Sequence, residues 1–187
     1  SYPQAIECLL AALKAPRAGI VRPGEALGAG ISEPVASRLN VPDFDNAAVD
    51  GVALRAADIA AAADGSPVSL RVTGVVAAGH RPRTRVAAGE TMEIMTGAPL
   101  PPGADTVIPV ERIAWREDPS GEKFALVEFA AETGKNVRRA GEDFHQGDQL
   151  LVAGDCLGPE AVMNLAAGGV DTVNARPVPS VAVITTG

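Results

Sequence analysis

The hydrophobic pattern of this chain changes period twice. Near the start, apolar side chains recur every three or four positions, at Ile6, Leu9, Leu10 and Leu13. That spacing predicts an amphipathic helix. Ser1-Tyr2-Pro3-Gln4 offers a capping box at its start, and Pro16 closes it. "RPGEALG" predicts a short helical turn around Glu25–Leu27. Ile31 to Leu39 reads as extended, with a bend or sheet edge at Pro34.

From Val41 to about Gly141 the period drops toward two. Apolar runs at Val68–Val76, Thr91–Met95, Thr106–Val110 and Lys123–Phe129 are separated by Gly, Pro and Asp clusters. This texture predicts an all-β module, a barrel or a sandwich. Ala56–Ala63 predicts a short helix inside it, broken by Asp64-Gly65-Ser66-Pro67. After Gly147 the helical period returns. "GPEAVMNLAAGG" carries Pro159 in its first turn and Gly168-Gly169 at its end, and "DTVNARPVP" predicts a short strand.

The two outer segments are alike in kind, and the middle differs from both. The expected fold is therefore α+β. Residues 1–41 and 146–178 form one discontinuous α/β domain, and an all-β, barrel-like module over 42–145 is inserted into it. Val181, Ala182, Val183 and Ile184 form an unbroken apolar run near the end. Such a run predicts a strand buried on both faces, opening a further α/β domain over 179–187. The chain is thus expected to be the N-terminal portion of a longer protein.

Composition narrows the function classes. Aromatic residues make up only 3% of the chain, so the core must be aliphatic. A net charge of −7 argues against binding nucleic acid, which needs a basic surface. It does not argue against a small anionic substrate, because a local arginine cluster overrides the global sign. No apolar run approaches the roughly 20 residues of a membrane span. Cys8 and Cys156 stand far apart, outside any CxxC motif. They are expected to be reduced, partly buried thiols of a cytoplasmic protein.

Four stretches set polar groups beside glycine: "PDFDNAAVDGVALR", "IMTGAPLPPGADTVIPVE", "GKNVRRAGEDFHQGD" and the terminal "VAVITTG". Each of the first three has two explanations. Asp50 shapes a turn by accepting backbone N–H bonds, or it holds a metal ion or a phosphate. Thr96-Gly97 is a rigid loop between strands, or a hydroxyl and an open backbone facing an anion. Arg138, Arg139, Glu142 and Asp143 form a surface ion-pair cluster, or a phosphate grip beside a Mg²⁺ ligand. His80 and His145 match no ligand spacing, and no nucleophilic triad or phosphate-binding glycine loop is present.

In order, these stretches resemble the motifs of the molybdopterin molybdenumtransferase family, which includes MoeA and the E domain of gephyrin. "PDFDNAAVDGVA" is similar to the family's P-x-F-D-N-S-A-M-D-G-Y-A. "IMTGAPLPPGADTV" is similar to I-M-T-G-A-P-x-P-x-G-A-D-x-V, and "NVRRAGED" to N-x-R-x-x-G-E-D. Val49 and Val52 stand where the family motif has Met and Tyr, and Ala47 where it has Ser.

The resemblance covers the family's domains I and II. It implies an elongated, discontinuous α/β segment carrying the β module, followed in full-length members by a molybdopterin-binding domain. It implies insertion of molybdenum from molybdate into adenylylated molybdopterin, with Mg²⁺ and release of AMP. By motif position it implies catalytic roles for Asp50, Thr96 and Asp143, with Asp50 and Asp143 as metal ligands. Gly97, Arg138, Arg139 and Glu142 are then expected on the substrate. It also implies a homodimer whose active site is shared between subunits, and a chain that is inactive by itself. The alternative is a non-catalytic module for dimerisation or protein interaction.

Overall fold

The computed structural model describes residues 1–14, 16–64 and 66–185. Gly65 of the expected helix break, and Thr186 and Gly187 of the terminal stretch, lie outside the described residues. The elements run in order as helix α1 (Tyr2–Ala12) and strands β1 (Gly19–Val21), β2 (Gly30–Ile31), β3 (Val35–Ala36), β4 (Asn46–Ala47), β5 (Gly51–Leu54) and β6 (Val68–Val76). Then come β7 (Glu90–Ile94), β8 (Thr106–Pro109), β9 (Ala114–Glu117), β10 (Lys123–Val127), β11 (Val137–Arg138), β12 (Gln149–Leu151), helix α2 (Pro159–Ala167) and β13 (Val173–Arg176). Short 3-10 helices occupy Pro23–Glu25, Ala56–Asp64 and Val110–Arg112. The fold is α+β.

The chain divides into two compact units, Ser1–Asn40 with Phe144–Gly187, and Val41–Asp143. In the first, β13 lies between β1 and β2, antiparallel to both. Leu165 of α2 is fully buried and joins Ile31, Leu157, Val173 and Ala175 in one core. Pro159 fits the first turn of α2, where its missing N–H has no partner to lose. β12 pairs with β3 as a separate short ladder.

The second unit carries the candidate chemistry. Its main sheet has the order β8-β5-β7-β6-β10-β9. β6 and β7 run parallel, and the other neighbours run antiparallel. β5 is buried along its whole length between β7 and β8. Side chains alternate across a strand, so β5 feeds two cores. Val52 and Leu54 pack with Ile59, Leu70 and Ile108. Ala53 packs on the other side with Val76, Met92, Ile94 and Val107.

Several expectations change. The terminal strand is not formed. Val181, Val183 and Ile184 are each more than four-fifths exposed, and among the described residues no strand pairs with them. An apolar run becomes a strand only where a ladder partner satisfies its backbone. The apolar stripe of α1 is not buried either, and no residue of that helix is. The capping contact is present, with the Ser1 amino group donating to Gln4 Oε1 at 2.8 Å. Ala56–Asp64 winds as a 3-10 helix. Both cysteines are exposed rather than partly buried.

The family departures sit in the cores. Val52 and Ala47 are almost completely buried, and Val49 packs against the cluster around Ala53.

Gly51 has no room for a side chain. A Cβ there would run into the carbonyl oxygen of Ile108 on β8. Gly51→Ala is therefore expected to lose several kcal/mol of stability, on the order of the 2–5 kcal/mol of severe core defects. Urea unfolding checks this, and a loss under about 0.5 kcal/mol would contradict it.

Candidate functional site

The site begins at the turn before β5. The Asp50 carbonyl accepts a hydrogen bond from Val110 N at 3.0 Å, tying this turn to the end of β8. Its Oδ1 accepts two bonds from one residue, Thr96 N at 2.6 Å and Thr96 Oγ1 at 2.7 Å. Thr96 comes just after β7, in a turn closed by Ala98 N donating to Met95 O at 2.9 Å. Gly97 takes the positive φ of 76° that this turn requires. Its N–H is committed to Ala47 O at 2.8 Å and stiffens the loop, while the space on its Cβ side is open.

β4 joins this loop to the arginine segment. Ala47 N donates to Ala98 O at 3.0 Å, and Asn46 bridges to Pro99. On its other side Asn46 pairs with Arg138 of β11. With neighbouring strands about 4.8 Å apart, Arg138 lies roughly 10 Å from Pro99 across β4. The first two motif stretches and residues 134–143 of the third thus lie side by side in one unit.

Within the third stretch, Arg138 Nη2 meets both carboxylate oxygens of Asp143 at 2.8 Å. Arg139 Nη1 binds Asp45 Oδ2 at 2.6 Å, and Ala140 N donates to Asp45 Oδ1 at 2.8 Å. Glu142 accepts from Arg139 N at 2.9 Å and closes the turn. Asp45 was not among the residues expected to act, yet it anchors this turn from 94 residues away in sequence. Its signal was the second acid of "PDFDN". Asn136 was also missed. It adopts a φ of 55° and donates from Nδ2 to Val107 O at 2.9 Å. An Asn after Gly-Lys is the signal for such a left-handed position.

Asp50 and Thr96 are in contact, as are Arg138 and Asp143. Among the described residues no hydrogen bond links one pair to the other.

The electrostatics separate the acids. The hydroxyl of Thr96, then its backbone N–H, holds the Asp50 carboxyl below the usual carboxylate range. Asp45 is lowered chiefly by the Ala140 N–H, opposed by partial desolvation and aided by Arg139. Oδ2 of Asp50 carries no protein hydrogen bond among the described contacts and belongs to an exposed, ionised group. It suits a hard cation, which takes one or two carboxylates and keeps several waters. Asp143 fits less well, because Arg138 already occupies both its oxygens. Among the described residues no group of three or more His, Cys, Asp or Glu is placed to hold a metal ion.

The family model for the MoeA N-terminal region (domain I and II) matches residues 1–169. The chain belongs to the MoeA family. This MoeA region is 36% identical to the molybdopterin molybdenumtransferase of Synechococcus elongatus, over 100% of the chain and 46% of that protein. It is 35% identical to molybdopterin molybdenumtransferase 1 of Mycobacterium tuberculosis, over 95% of the chain and 44% of that protein. A solved structure of the molybdopterin biosynthesis MoeA protein of Pyrococcus horikoshii superposes with a TM-score of 0.80 at 33% identity. It covers 94% of this chain and 45% of that one. The MoeA chain here thus spans somewhat under half the length of these relatives. No helix among the described residues is long and apolar enough to cross a membrane.

Thr96→Val is expected to raise the Asp50 pKa toward the ordinary value of about 3.9. Carboxyl NMR titration reads this directly, and an unmoved midpoint would refute the hydroxyl's role. For Asp45 the folded pKa lies below the unfolded one. Its stabilisation is therefore present above the unfolded pKa and fades as pH falls through the lowered folded value. Asp45→Asn should cost about 0.5–1 kcal/mol at pH 7 and progressively less below about pH 4. A cost that does not change with pH would speak against this.

Proposed function

We propose that this chain supplies half of an active site that inserts molybdenum from molybdate into adenylylated molybdopterin, releasing AMP in molybdenum cofactor biosynthesis. The Asp50–Thr96 pair carries the reading. It holds an ionised carboxylate with one open oxygen on a rigid turn. The relatives' name, molybdopterin molybdenumtransferase, supplies the substrate class.

Asp50 is the primary ligand for Mg²⁺, with Thr96 orienting its carboxylate. Mg²⁺, when bound, offsets the negative charge that builds on phosphoryl oxygens as the adenylyl group leaves. Asp143 is the second carboxylate and joins after Arg138 releases it. Arg138 and Arg139 then face the anionic substrate, with Glu142 fixing the turn and Gly97 the loop. The setting is cytoplasmic.

The exposed stripe of α1 supports assembly as a homodimer with the site shared between copies. Tyr2, Leu9, Leu10 and Leu13 are each about two-thirds exposed or more, a surface that a second copy would remove from water. The 187 residues by themselves are inactive on this reading. The same stripe favours the second reading, a dimerisation or interaction module without catalysis.

The deciding assay follows AMP release from adenylylated molybdopterin with molybdate and Mg²⁺, in the protein that carries these residues. Asp50→Ala is expected to slow it roughly 100-fold or more. Full activity in Asp50→Ala would remove the enzymatic reading and leave the module.

A further inference from the structure

The arginine turn holds two ion pairs of unequal kind. Asp45 takes Arg139 Nη1 at 2.6 Å and the Ala140 N–H at 2.8 Å, so its two oxygens tie down a side chain and a backbone together. Arg138 meets Asp143 by a poorer fit. Both of its bonds come from one nitrogen, Nη2, at 2.8 Å. The strong arginine fork uses two nitrogens in parallel. Among the described residues, Nε and Nη1 of Arg138 have no hydrogen-bond partner.

The backbone beneath this pair does not depend on it. Asp143 N donates to Val41 O and Gly141 N to Pro42 O, both at 2.9 Å, and Glu142 N donates to Arg139 O at 3.1 Å. Parting the two side chains therefore leaves the turn in place. Their side chains are 43% exposed at Arg138 and 48% at Asp143, so ions in solution reach both. Water screens such a pair and leaves it little net worth.

These features make Asp143 a replaceable partner. A tetrahedral dianion offers two oxygens to a two-nitrogen fork and carries twice the charge of a carboxylate. Seated on Nε and Nη1 it would also stand beside Asp143, and like charges repel. Asp143 then leaves Arg138 with both oxygens open. A free carboxylate is what a hard divalent cation takes.

We infer that the Arg138–Asp143 pair is a latch coupling two ions: a tetrahedral dianion on Arg138 releases Asp143, and the released carboxylate binds a divalent cation. The choice of Mg²⁺ as that cation rests on the proposed function. Linkage requires the reverse as well, so a cation on Asp143 strengthens the anion on Arg138 by the same factor. Without either ion, the guanidinium and the carboxylate neutralise each other.

The test is an NMR titration of the 187-residue chain with Mg²⁺. It follows the Asp143 carboxyl carbon against free Mg²⁺, in sodium sulfate and in sodium chloride at equal ionic strength. Sulfate is expected to move the Arg138 Nε–H signal and to lower the Mg²⁺ midpoint of Asp143 by about two- to fivefold, the range open to an exposed ion pair. In Arg138→Ala the midpoint should already be low in chloride, and sulfate should no longer move it. In Asp143→Asn, sulfate should bind more tightly than in the parent chain, and Mg²⁺ should no longer alter that binding. Arg22→Ala, in the other unit, controls for lost charge and should keep the full sulfate effect. An Mg²⁺ midpoint that sulfate leaves unmoved would overturn the inference. So would an Asp143 carboxyl that ignores Mg²⁺ in both salts, or a sulfate effect that survives Arg138→Ala. The titration involves no turnover. Its failure leaves Asp50-dependent chemistry standing, and a failed AMP-release assay leaves the ion coupling standing.

Discussion

The enzymatic reading of this chain depends on two short hydrogen bonds from Thr96 to one oxygen of Asp50. They spend that oxygen and leave the other open. They also favour the ionised carboxylate, so the group stays charged at any physiological pH. An acid on a free loop would sample many directions. This one is fixed by a turn on each side, one joined to the end of β8 and the other closed by Gly97.

The turn is only as rigid as the sheet behind it. Gly51 brings the chain against Ile108 so closely that no side chain fits, which sets Asp50 at the rim of a strand buried on both faces. The two cores meet at β5, and Val52, Ala53 and Leu54 alternate between them. Val52 and Val49 depart from the family motif inside this packing and not at the carboxylate. Ordered positions at the rim can therefore persist while the interior exchanges one apolar residue for another.

Much of this was legible in the residues. The period-two runs located β6, β7, β8 and β10, because each has one face or both in an aliphatic core. Pro159 and Gly168 marked α2 because both residues have backbone reasons to sit at helix ends. β9 gave no signal, since all four of its residues are exposed and an edge strand needs no apolar alternation. β4 and β11 are too short to show a period, yet they bring the motif stretches together. The run Val181–Ile184 is apolar yet exposed and unpaired among the described residues, because hydrophobicity alone supplies no partner for a backbone. At the site, the acids and arginines were visible as residue types. Which acid pairs with which arginine was not, because Asp45 reaches Arg139 only through the fold.

The account stands most directly on where a divalent cation settles. Mn²⁺ can replace Mg²⁺ and broadens the NMR signals of nearby nuclei. In a titration of the chain, the amides of Asp50, Gly51, Thr96 and Gly97 are expected to broaden first. Broadening that starts at another acidic turn, such as Asp118–Glu122, and spares Asp50 would contradict the account.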